Sequence, residues 1–339
     1  MQLVEFDFPF DSSLVALQPV TPRDRARLFV VDRRTGRSAH HHVADLPSLL
    51  DPGDLVVVND TKVLAARVPG RKQPTGTPVE VLFVRDLGDD IWEVMVKGTF
   101  HVGQAIEFDR QARATVLKRN ASGTTVKVES PIPVVQLLRE IGRMPLPPYI
   151  KRKPSREDHD WYQTAFAAHE GAIAAPTAGL HFTPDLLSHL AARSIQVVPV
   201  TLHVGPGTFK PVVTENIEDH QMGAERFEVG RDVVDAIART KQAGRRVVAI
   251  GTTVVRTLET VAKEHGSVVP SGGESRLFIT PGFQFQTVDV LMTNFHLPKT
   301  TLLMLVSAFA GVELIRKAYE EAVRERYRFY SYGDAMLIL

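Results

Sequence analysis

The chain has 339 residues, of which 44% are hydrophobic and 23% are charged, so its composition is that of a folded globular protein and not of a disordered one. Because 40 Lys and Arg residues nearly balance 39 Asp and Glu residues, a nucleic-acid site has to be a local patch rather than a property of the bulk charge. The sequence contains no cysteine, which excludes disulfides, thiol nucleophiles, iron–sulfur clusters and cysteine zinc sites.

The first residues and the apolar stretches favour a soluble, cytoplasmic protein. Residues 1–7 include acidic residues where a signal peptide has basic residues followed by an apolar run. The longest apolar stretch, residues 302–312, is far shorter than the roughly 20 residues that span a bilayer, and we expect it to form a buried helix. The lack of cysteine also agrees with a reducing compartment.

In chain order, the first predicted elements are strands at residues 27–32 and 55–58, followed by a segment of different character at residues 64–129. That segment alternates apolar and polar residues in short runs separated by turn residues, which predicts a small antiparallel barrel or sandwich. The runs lie at residues 79–84, 91–96, 114–117 and 124–128.

Beyond residue 150, predicted helices and strands alternate. Thr183 followed by Pro184 is typical of a helix start, and Gly244 is typical of a helix end. The predicted helices are residues 186–193, 232–243, 254–265 and 312–327, and the predicted strands are residues 197–202 and 245–250. This alternation predicts an α/β layer with a largely parallel sheet.

We therefore expect an α/β fold, in which a large domain with a mixed or parallel sheet is interrupted by a small antiparallel β-barrel. The large domain would be discontinuous and would comprise residues 1–63 and 150–339, and the all-β insertion would comprise residues 64–149. Prolines stiffen a connector, so the proline-rich residues 144–149 are expected to join the insertion to the large domain.

Two peptides, residues 174–182 and 201–211, each place a histidine, a threonine and glycine close together on either side of a predicted helix. Glycine lets the backbone approach a ligand closely, and a helix start offers free N–H groups to an anion. Neither peptide has the periodicity of a core element, so we interpret them as two walls of one site. The candidate residues are Thr177, Gly179, His181, His203, Gly205, Gly207 and Thr208.

A third candidate segment follows the predicted strand 245–250. Gly251, Thr252 and Thr253 stand between that strand and the next helix, where an α/β sheet offers a ligand crevice. Arg256 and Glu259 lie one helical turn apart and can face the same crevice. The alternative is a tight turn with a threonine cap and a surface ion pair, and the spacing alone does not choose between them.

Four histidines lie beside small or turn residues: His181, His203, His220 and His296. A neutral imidazole can act as a base near physiological pH or orient a substrate hydroxyl, and for each of them a hydrogen-bonded structural role is the alternative. Their spacing lacks the His-x-x-x-His and His-x-His patterns of metal sites, so we expect no metal. The three consecutive histidines 40–42 are interpreted as a solvated face before a polar loop.

Polar residues also gather at other predicted element ends. Asn59 and Asp60 follow the strand 55–58, where they can bind substrate or form an Asx turn. Residues 293–298 and 330–336 mix hydrogen-bonding side chains with aromatic ones, as expected for stacking on a base and reading it. The candidates in these two segments are Asn294, His296, Tyr332 and Asp334.

A basic run follows the proline-rich connector. Lys151, Arg152, Lys153 and Arg156 have no acidic residue between them and stand next to Tyr149, a combination that can bind a phosphate backbone. A solvated linker is the alternative interpretation.

Taken together, these peptides resemble the S-adenosylmethionine:tRNA ribosyltransferase-isomerase family of queuosine biosynthesis, and the resemblance runs nearly end to end. It is carried by the peptides at residues 53–55, 59–63, 146–150, 162–164, 174–182, 201–211, 251–256, 293–298 and 327–336. One departure is Gly223, where the family often has a histidine after the peptide 220–222. Another is Thr300, which replaces a serine and keeps the hydroxyl.

The resemblance implies that the ribosyl portion of S-adenosylmethionine is moved onto 7-aminomethyl-7-deazaguanine at the wobble position of tRNA. Epoxyqueuosine is formed, and adenine and methionine are released. The positive sulfur acidifies the adjacent ribose methylene, so a positioned base can remove a proton and start the expulsion of adenine. The partners implied are tRNA and S-adenosylmethionine, which is a consumed substrate, and no cofactor is implied. We expect a monomer with no membrane contact.

The resemblance also suggests roles for the candidate residues. His181 or His203 would be the base, with His296 as the reserve candidate. S-adenosylmethionine or the deazaguanine would be bound by Asn59, Asp60, Thr177, Gly179, Gly205, Gly207, Thr208, Gly251, Thr252, Thr253, Arg256, Glu259, Asn294, Tyr332 and Asp334. Lys151, Arg152 and Lys153 would contact tRNA phosphates.

Two other functions stay open from the residues alone. One is a glycosyl or alkyl transferase that acts on free nucleosides, which the basic run and the all-β insertion disfavour. The other is a non-catalytic RNA-binding module, which would have little need for so many polar peptides at strand ends.

Overall fold

The computed structural model describes residues 1–120, 123–205, 207, 212 and 214–339, and within them it shows a large α/β body and a closed β-barrel. The strands are β1 Arg27–Asp32, β2 Arg37–His42, β3 Leu55–Asn59, β4 Thr61–Val63, β5 Arg67–Lys72, β6 Thr77–Asp86, β7 Ile91–Val96, β8 Ala105–Glu107, β9 Arg113–Asn120, β10 Gly123–Glu129, β11 His169–Ala172, β12 Gln196–Leu202, β13 Glu225–Val229, β14 Val247–Ile250, β15 Ser271–Ser275, β16 Val290–Asn294 and β17 Ala335–Ile338. The helices are α1 Leu46–Leu49, α2 Val134–Ile141, α3 Asp158–Trp161, α4 Pro184–Ala192, α5 Arg231–Gln242, α6 Thr252–His265, α7 Thr301–Ala310 and α8 Val312–Arg324.

The α/β body is built on a nine-stranded mixed sheet in the order β15-β13-β12-β3-β14-β16-β17-β1-β2. Its centre is parallel, because β3 pairs in parallel with both β12 and β14, and β14 pairs in parallel with β16. Alternate residues of β3 enter two separate cores: Leu55 and Val57 on one face, Val56 and Val58 on the other. A strand that is covered on both faces is apolar throughout, which is why residues 55–58 form an uninterrupted run.

The barrel closes in the order β10-β7-β6-β5-β8-β9, with neighbouring strands antiparallel. Its interior is filled by alternating residues of these strands, including Val81, Phe83, Trp92 and Val94. Helix α2 adds Leu137 and Leu138 to the same core. The prediction of an inserted small antiparallel barrel is therefore confirmed, and all its strands lie within the range 64–149 that was assigned to the insertion.

The chain leaves the α/β body and returns to it at one place. Strand β4 pairs in parallel with β11 as a separate two-stranded sheet. The Gln163 side chain binds the backbone of Val63 twice, since its Nε2 donates to the carbonyl at 2.7 Å and its Oε1 accepts from the N–H at 3.0 Å. The exact limits of two domains, residues 1–63 with 150–339 and residues 64–149, stay a prediction.

Several element predictions need correction. Gly251 precedes α6 directly, so the helix begins at Thr252 and not after a turn of three residues, and α8 ends at Arg324 and not at 327. The histidines 40–42 belong to the edge strand β2, which pairs antiparallel with β1; their mainly solvated character was correctly expected. No helix among the described residues is both long enough and apolar enough to cross a membrane.

Candidate functional site

Two cavities lie where the sequence predicted one site. The first, which we call the strand-end cavity, lies beyond the carboxyl ends of β14 and β16, because parallel neighbours end at the same edge of a sheet. It is small, about 60 Å³. Its lining residues are Tyr149, Ala175, Pro176, Thr177, Ala178, Val204, Gly251, Thr252, Thr253, Thr293, Asn294, His296, Leu297, Thr300, Leu302, Tyr330 and Ser331.

The second cavity, which we call the barrel cleft, lies between the barrel and the α/β body and measures about 780 Å³. The barrel contributes Val84, Arg85, Trp92 and Glu93. The α/β body contributes Gly171, His203, Val204, Gly205, Gly207, Met222, Gly223, Ala224, Glu225, Arg226, Glu274 and Arg276. Val204 lies in the wall of both cavities, so they are neighbours on either side of one residue.

Glycine at position 251 shapes the strand-end cavity. Its φ of +93° with ψ of 154° is a conformation that only glycine adopts without strain, and it turns the chain from β14 directly into α6. The first N–H groups of α6 have no partner within the helix, so this end of the helix favours a negative group. Helix α7 begins at the same cavity, with Thr300 Oγ1 accepting from the Leu303 N–H at 3.3 Å.

Two of the predicted histidines are held in the neutral form. His296 lines the strand-end cavity, its Nε2 lies 2.9 Å from Thr293 Oγ1, and burial lowers its pKa to about 3. His181 lies behind the cavity wall, where its Nε2 is 3.3 Å from the amide nitrogen of Asn294, and burial lowers its pKa to about 4. Desolvation disfavours the imidazolium in both cases, so both rings are neutral at physiological pH.

His203 occupies the barrel cleft. Its Nδ1 lies 2.8 Å from Thr61 Oγ1, and its pKa is lowered mainly by burial and also by the charge of Arg226. Gly171 packs against the imidazole so closely that a Cβ at that position would lie 2.8 Å from the ring. Gly171 was not among the predicted site residues, because β11 was not predicted as a strand; a glycine inside a strand often marks a close approach.

Glu225 is a second site residue that was not predicted. It is buried in the wall of the barrel cleft, where its Oε2 pairs with Arg256 Nη1 and its Oε1 accepts from the Gly205 N–H at 3.0 Å. Arg256 therefore acts through Glu225 on the glycine segment and does not line either cavity. The position of Glu225 in the peptide after His220 was the only indication in the sequence that this residue belongs to the site.

Asn59 and Asp60 join the elements that carry the site. Asn59 Oδ1 accepts from the N–H groups of Thr61 and Leu202, both at 3.1 Å, and its Nδ2 donates to the Leu202 carbonyl and to Thr253 Oγ1. Asp60 accepts from Thr201 Oγ1 at 2.7 Å. The Asn59 amide thus ties β3, β12 and α6 together, and its contact with substrate stays a prediction.

Four further candidates are engaged within the protein. Glu259 accepts three backbone N–H groups at residues 286–288, and Asp334 accepts the N–H groups of Arg27 and Arg328. Tyr332 donates its hydroxyl to Asp158, and Gly179 packs against the Phe166 ring. The lining of the two cavities, as far as the structure describes it, includes none of these four. Thr208 lies outside the described residues.

The basic run is divided in the structure. Arg152 turns inward and forms two hydrogen bonds of 2.6 Å with the buried carboxylate of Asp158, so its guanidinium is not free for a phosphate. Lys151 and Lys153 are exposed. A group of His, Asp or Glu residues suitable for a metal ion is absent from the described part of the chain.

Comparisons with known proteins agree with the resemblance in the sequence. The family model described as queuosine biosynthesis protein matches residues 3–338. Proteins named S-adenosylmethionine:tRNA ribosyltransferase-isomerase from Moorella thermoacetica and Heliobacterium modesticaldum are 49% and 46% identical over 344 residues, with 100% of each chain covered. A crystal structure of S-adenosylmethionine tRNA ribosyltransferase from Thermotoga maritima is 36% identical, with a TM-score of 0.57 over 99% of this chain and 100% of that one.

Proposed function

The chain belongs to the queuosine biosynthesis protein family, and from this membership we propose that it transfers and isomerises the ribosyl portion of S-adenosylmethionine. The acceptor is the aminomethyl group of 7-aminomethyl-7-deazaguanine at the wobble position of tRNA, and the product is epoxyqueuosine-tRNA. Adenine and methionine leave. The full-length match to relatives of that name carries this conclusion, and the two adjoining cavities support it.

The reaction requires a base, a dry pocket and fixed orientation. The base removes a proton from the ribose methylene beside the sulfonium, and the carbanion expels adenine as the sugar opens. The substrate amine then captures the sugar, and closure of the epoxide breaks the bond to sulfur and releases methionine. Each step moves protons and electron pairs only, so no redox cofactor is required, and we propose a reaction without a metal.

Of the three histidine candidates, we assign the base to His203. It is neutral at physiological pH, and it lies in the larger cleft, whereas His181 faces the Asn294 amide and His296 is hydrogen-bonded to Thr293. Thr61 Oγ1 also lies 3.5 Å from the His169 carbonyl, which can only accept a hydrogen. If the Thr61 hydroxyl hydrogen points to the His169 carbonyl, Thr61 Oγ1 can accept a hydrogen bond from the Nδ1–H of His203. The unprotonated nitrogen of His203 is then Nε2, which can act as the base.

The test is incubation of the protein with S-adenosylmethionine and tRNA that carries the aminomethyl precursor, followed by mass analysis of the nucleosides and assay of adenine. We expect epoxyqueuosine and one adenine for each modified tRNA. The matched control is the same tRNA with guanine at the wobble position, which lacks the aminomethyl group. Absence of both products with the precursor tRNA would refute the proposal.

The same assay separates the rival functions. A transferase for free nucleosides would release adenine as readily with the free deazaguanine base as with the modified anticodon stem-loop. An RNA-binding module would bind tRNA without consuming S-adenosylmethionine. Both outcomes differ from the expected preference for the modified stem-loop.

We further propose that the enzyme is a monomer and acts in the cytoplasm, the compartment of its proposed tRNA substrate. Sedimentation equilibrium of the protein with and without tRNA tests this, and a stable dimer in both samples would contradict it.

A further inference from the structure

We infer that the strand-end cavity holds the amino-acid end of S-adenosylmethionine, with the carboxylate at the helix N-termini and the ammonium on Asn294 Oδ1. This inference rests on the proposed function, since it concerns how the same substrate is placed. It assigns to Asn294 a partner different from the deazaguanine or ribose that its sequence position suggested.

The anion preference of the cavity comes from two helices. Helix α6 has 14 residues and α7 has 10, and both begin in the cavity wall, at Gly251–Thr253 and at Thr300. The leading N–H groups of a helix lack partners within it and carry a partial positive charge. The carboxylate is the only anionic group of S-adenosylmethionine, so it is the group that this end of the cavity selects.

Asn294 supplies the independent observation. Its side chain is buried, with 2% of the residue exposed, and it lines the cavity. The Nδ2 group donates to the Tyr330 carbonyl at 2.9 Å, which fixes the orientation of the amide, because a flipped amide would place two acceptors face to face. Among the described residues, Oδ1 has no hydrogen-bond partner. It therefore requires a donor, and an ammonium is a strong one.

The remaining lining fits a zwitterion. The described lining residues include no Asp, Glu, Lys or Arg, and the opposite charges of a zwitterion offset each other without a charged side chain. The volume of about 60 Å³ accommodates roughly four to six water-sized groups, enough for a carboxylate and an ammonium on one carbon. Ala175, Pro176 and Leu297 offer apolar contacts to the methylene groups that follow.

The position of Val204 connects this placement to the chemistry. Val204 lies in the wall of both cavities, and His203, the residue before it in the chain, lies on the cleft side. A substrate anchored by its amino-acid end in the strand-end cavity therefore directs its sulfonium and ribose toward the cleft that contains the proposed base.

The test compares kcat/KM for S-adenosylmethionine with that for its analogue without the α-amino group and its analogue without the carboxylate. For the unmodified enzyme we expect each analogue to lose about 10- to 100-fold, the range of one charge-assisted contact. The variant Asn294→Leu also loses the Nδ2 bond to Tyr330, a loss common to all compounds. It is therefore expected to lose about tenfold more with S-adenosylmethionine than with the des-amino analogue, mainly in KM.

A merely structural role of Asn294 would lower kcat/KM equally for both compounds, and this outcome would overturn the inference. Asn216→Leu is the matched control, because Asn216 is an exposed asparagine outside the cavity lining; it should leave all three values unchanged. If Asn294→Leu does not fold, the unmodified enzyme still decides: equal use of the des-amino analogue sinks the inference. If the unmodified enzyme releases adenine from S-adenosylmethionine in these assays, the proposed function is supported whatever the analogues show. Absence of adenine release would refute the proposed function itself.

Discussion

At the scale of single residues, His203 is the side chain on which the proposed chemistry depends. We expect His203→Ala to lower the single-turnover rate of adenine release by about 10²- to 10⁴-fold, the usual contribution of a general base. Rapid-quench measurement with saturating S-adenosylmethionine and modified tRNA checks this. His189→Ala is the control, since His189 is an exposed histidine on α4. A near-normal rate for His203→Ala would transfer the role to another residue.

The pH dependence of activity gives a second measure of the same residue. Because the pKa of His203 is lowered, its base form persists below the ordinary histidine range. The acidic limb of kcat/KM for the unmodified enzyme should therefore lie below about pH 6.5. An acidic limb clearly above that value would mean that a different group, or a His203 without the lowered pKa, supplies the base.

The buried histidines make a prediction about stability. The pKa of His181 is lowered to about 4 and that of His296 to about 3, so between these values and about 6.5 the unfolded chain binds more protons than the folded protein. Above about pH 6.5 both histidines are neutral in the folded and the unfolded chain, so their burial carries no protonation cost. As the pH falls toward their pKa values in the folded protein, the free energy of unfolding decreases. For His181 the loss is roughly 3 kcal/mol between pH 6.5 and pH 4.

Urea unfolding of the unmodified protein and of His296→Gln at pH 7, 6 and 5 tests the sign. The difference in free energy of unfolding between the two proteins should shrink as the pH falls, because only the unmodified protein loses the His296 contribution. Carboxylates titrate in the same range, but they are common to both proteins and cancel in the difference. A constant difference across the series would contradict the assignment of neutral, desolvated His296.

At the scale of elements, helix α6 depends on a single carboxylate. Glu259 is fully buried and accepts the N–H groups of Gln286, Thr287 and Val288 at 2.8, 3.0 and 3.0 Å. We expect Glu259→Gln to lower the free energy of unfolding by about 2 to 4 kcal/mol, because the amide replaces a charged acceptor and adds donors that face other donors.

Denaturant unfolding of Glu259→Gln and of Glu264→Gln provides the measurement. Glu264 is an exposed residue of the same helix, so its replacement should change the free energy by less than about 0.5 kcal/mol. Equal effects of the two replacements would show that the Glu259 contacts do not stabilise the segment 286–288.

Helix α6 also shows what the sequence could and could not predict. Its end at His265 was predicted correctly and its start was placed two residues too late, whereas β3 and β12 followed from their apolar runs. Arg256 and Glu259 were expected to face a crevice because they lie one turn apart. Both are instead buried against partners distant in the chain, Glu225 and residues 286–288, and helical spacing contains no information about such partners.

The missed strands have the same origin. Strand β15, Ser271–Ser275, has the composition of a loop and is extended because β13 pairs with it along its whole length. Strand β2 carries polar side chains on an exposed edge and is held by β1. By contrast, the barrel strands could be predicted, because apolar residues that face the barrel interior alternate along each strand with polar residues that face outward. The segments 174–182 and 201–211 were expected to form two walls of one site. In the structure Thr177 and Val204 line the strand-end cavity, whereas His203 lines the barrel cleft, and the sequence contains no information about this division.

At the scale of the whole molecule, the net charge of +1 leaves tRNA binding to a few exposed cations. Lys151 and Lys153 are exposed, whereas Arg152 is paired with Asp158. We expect Lys151→Gln and Lys153→Gln each to weaken tRNA binding and to reduce the slope of log K against log salt by about 0.7 to 0.9. Filter binding between 50 and 200 mM salt, the range in which such slopes are usually compared, gives the measurement.

The control for this experiment is Lys317→Gln, since Lys317 is exposed on α8, where acidic residues surround it. It should leave the slope unchanged. Unchanged slopes for Lys151→Gln and Lys153→Gln would remove both lysines from the tRNA contact surface and leave the solvated-linker interpretation of the basic run.

The interruption of the α/β body by the barrel has a consequence for biosynthesis. Strand β3 ends at Asn59, but its two neighbours begin only at Gln196 and Val247. At about 5 to 20 residues per second, a ribosome needs roughly 7 to 27 s to make the 136 residues between Asn59 and Gln196. All six barrel strands emerge within that interval and can complete their own hydrogen bonds. Meanwhile the four apolar residues 55–58 stay without their neighbouring strands on the nascent chain, so chaperones have access to this segment throughout that interval.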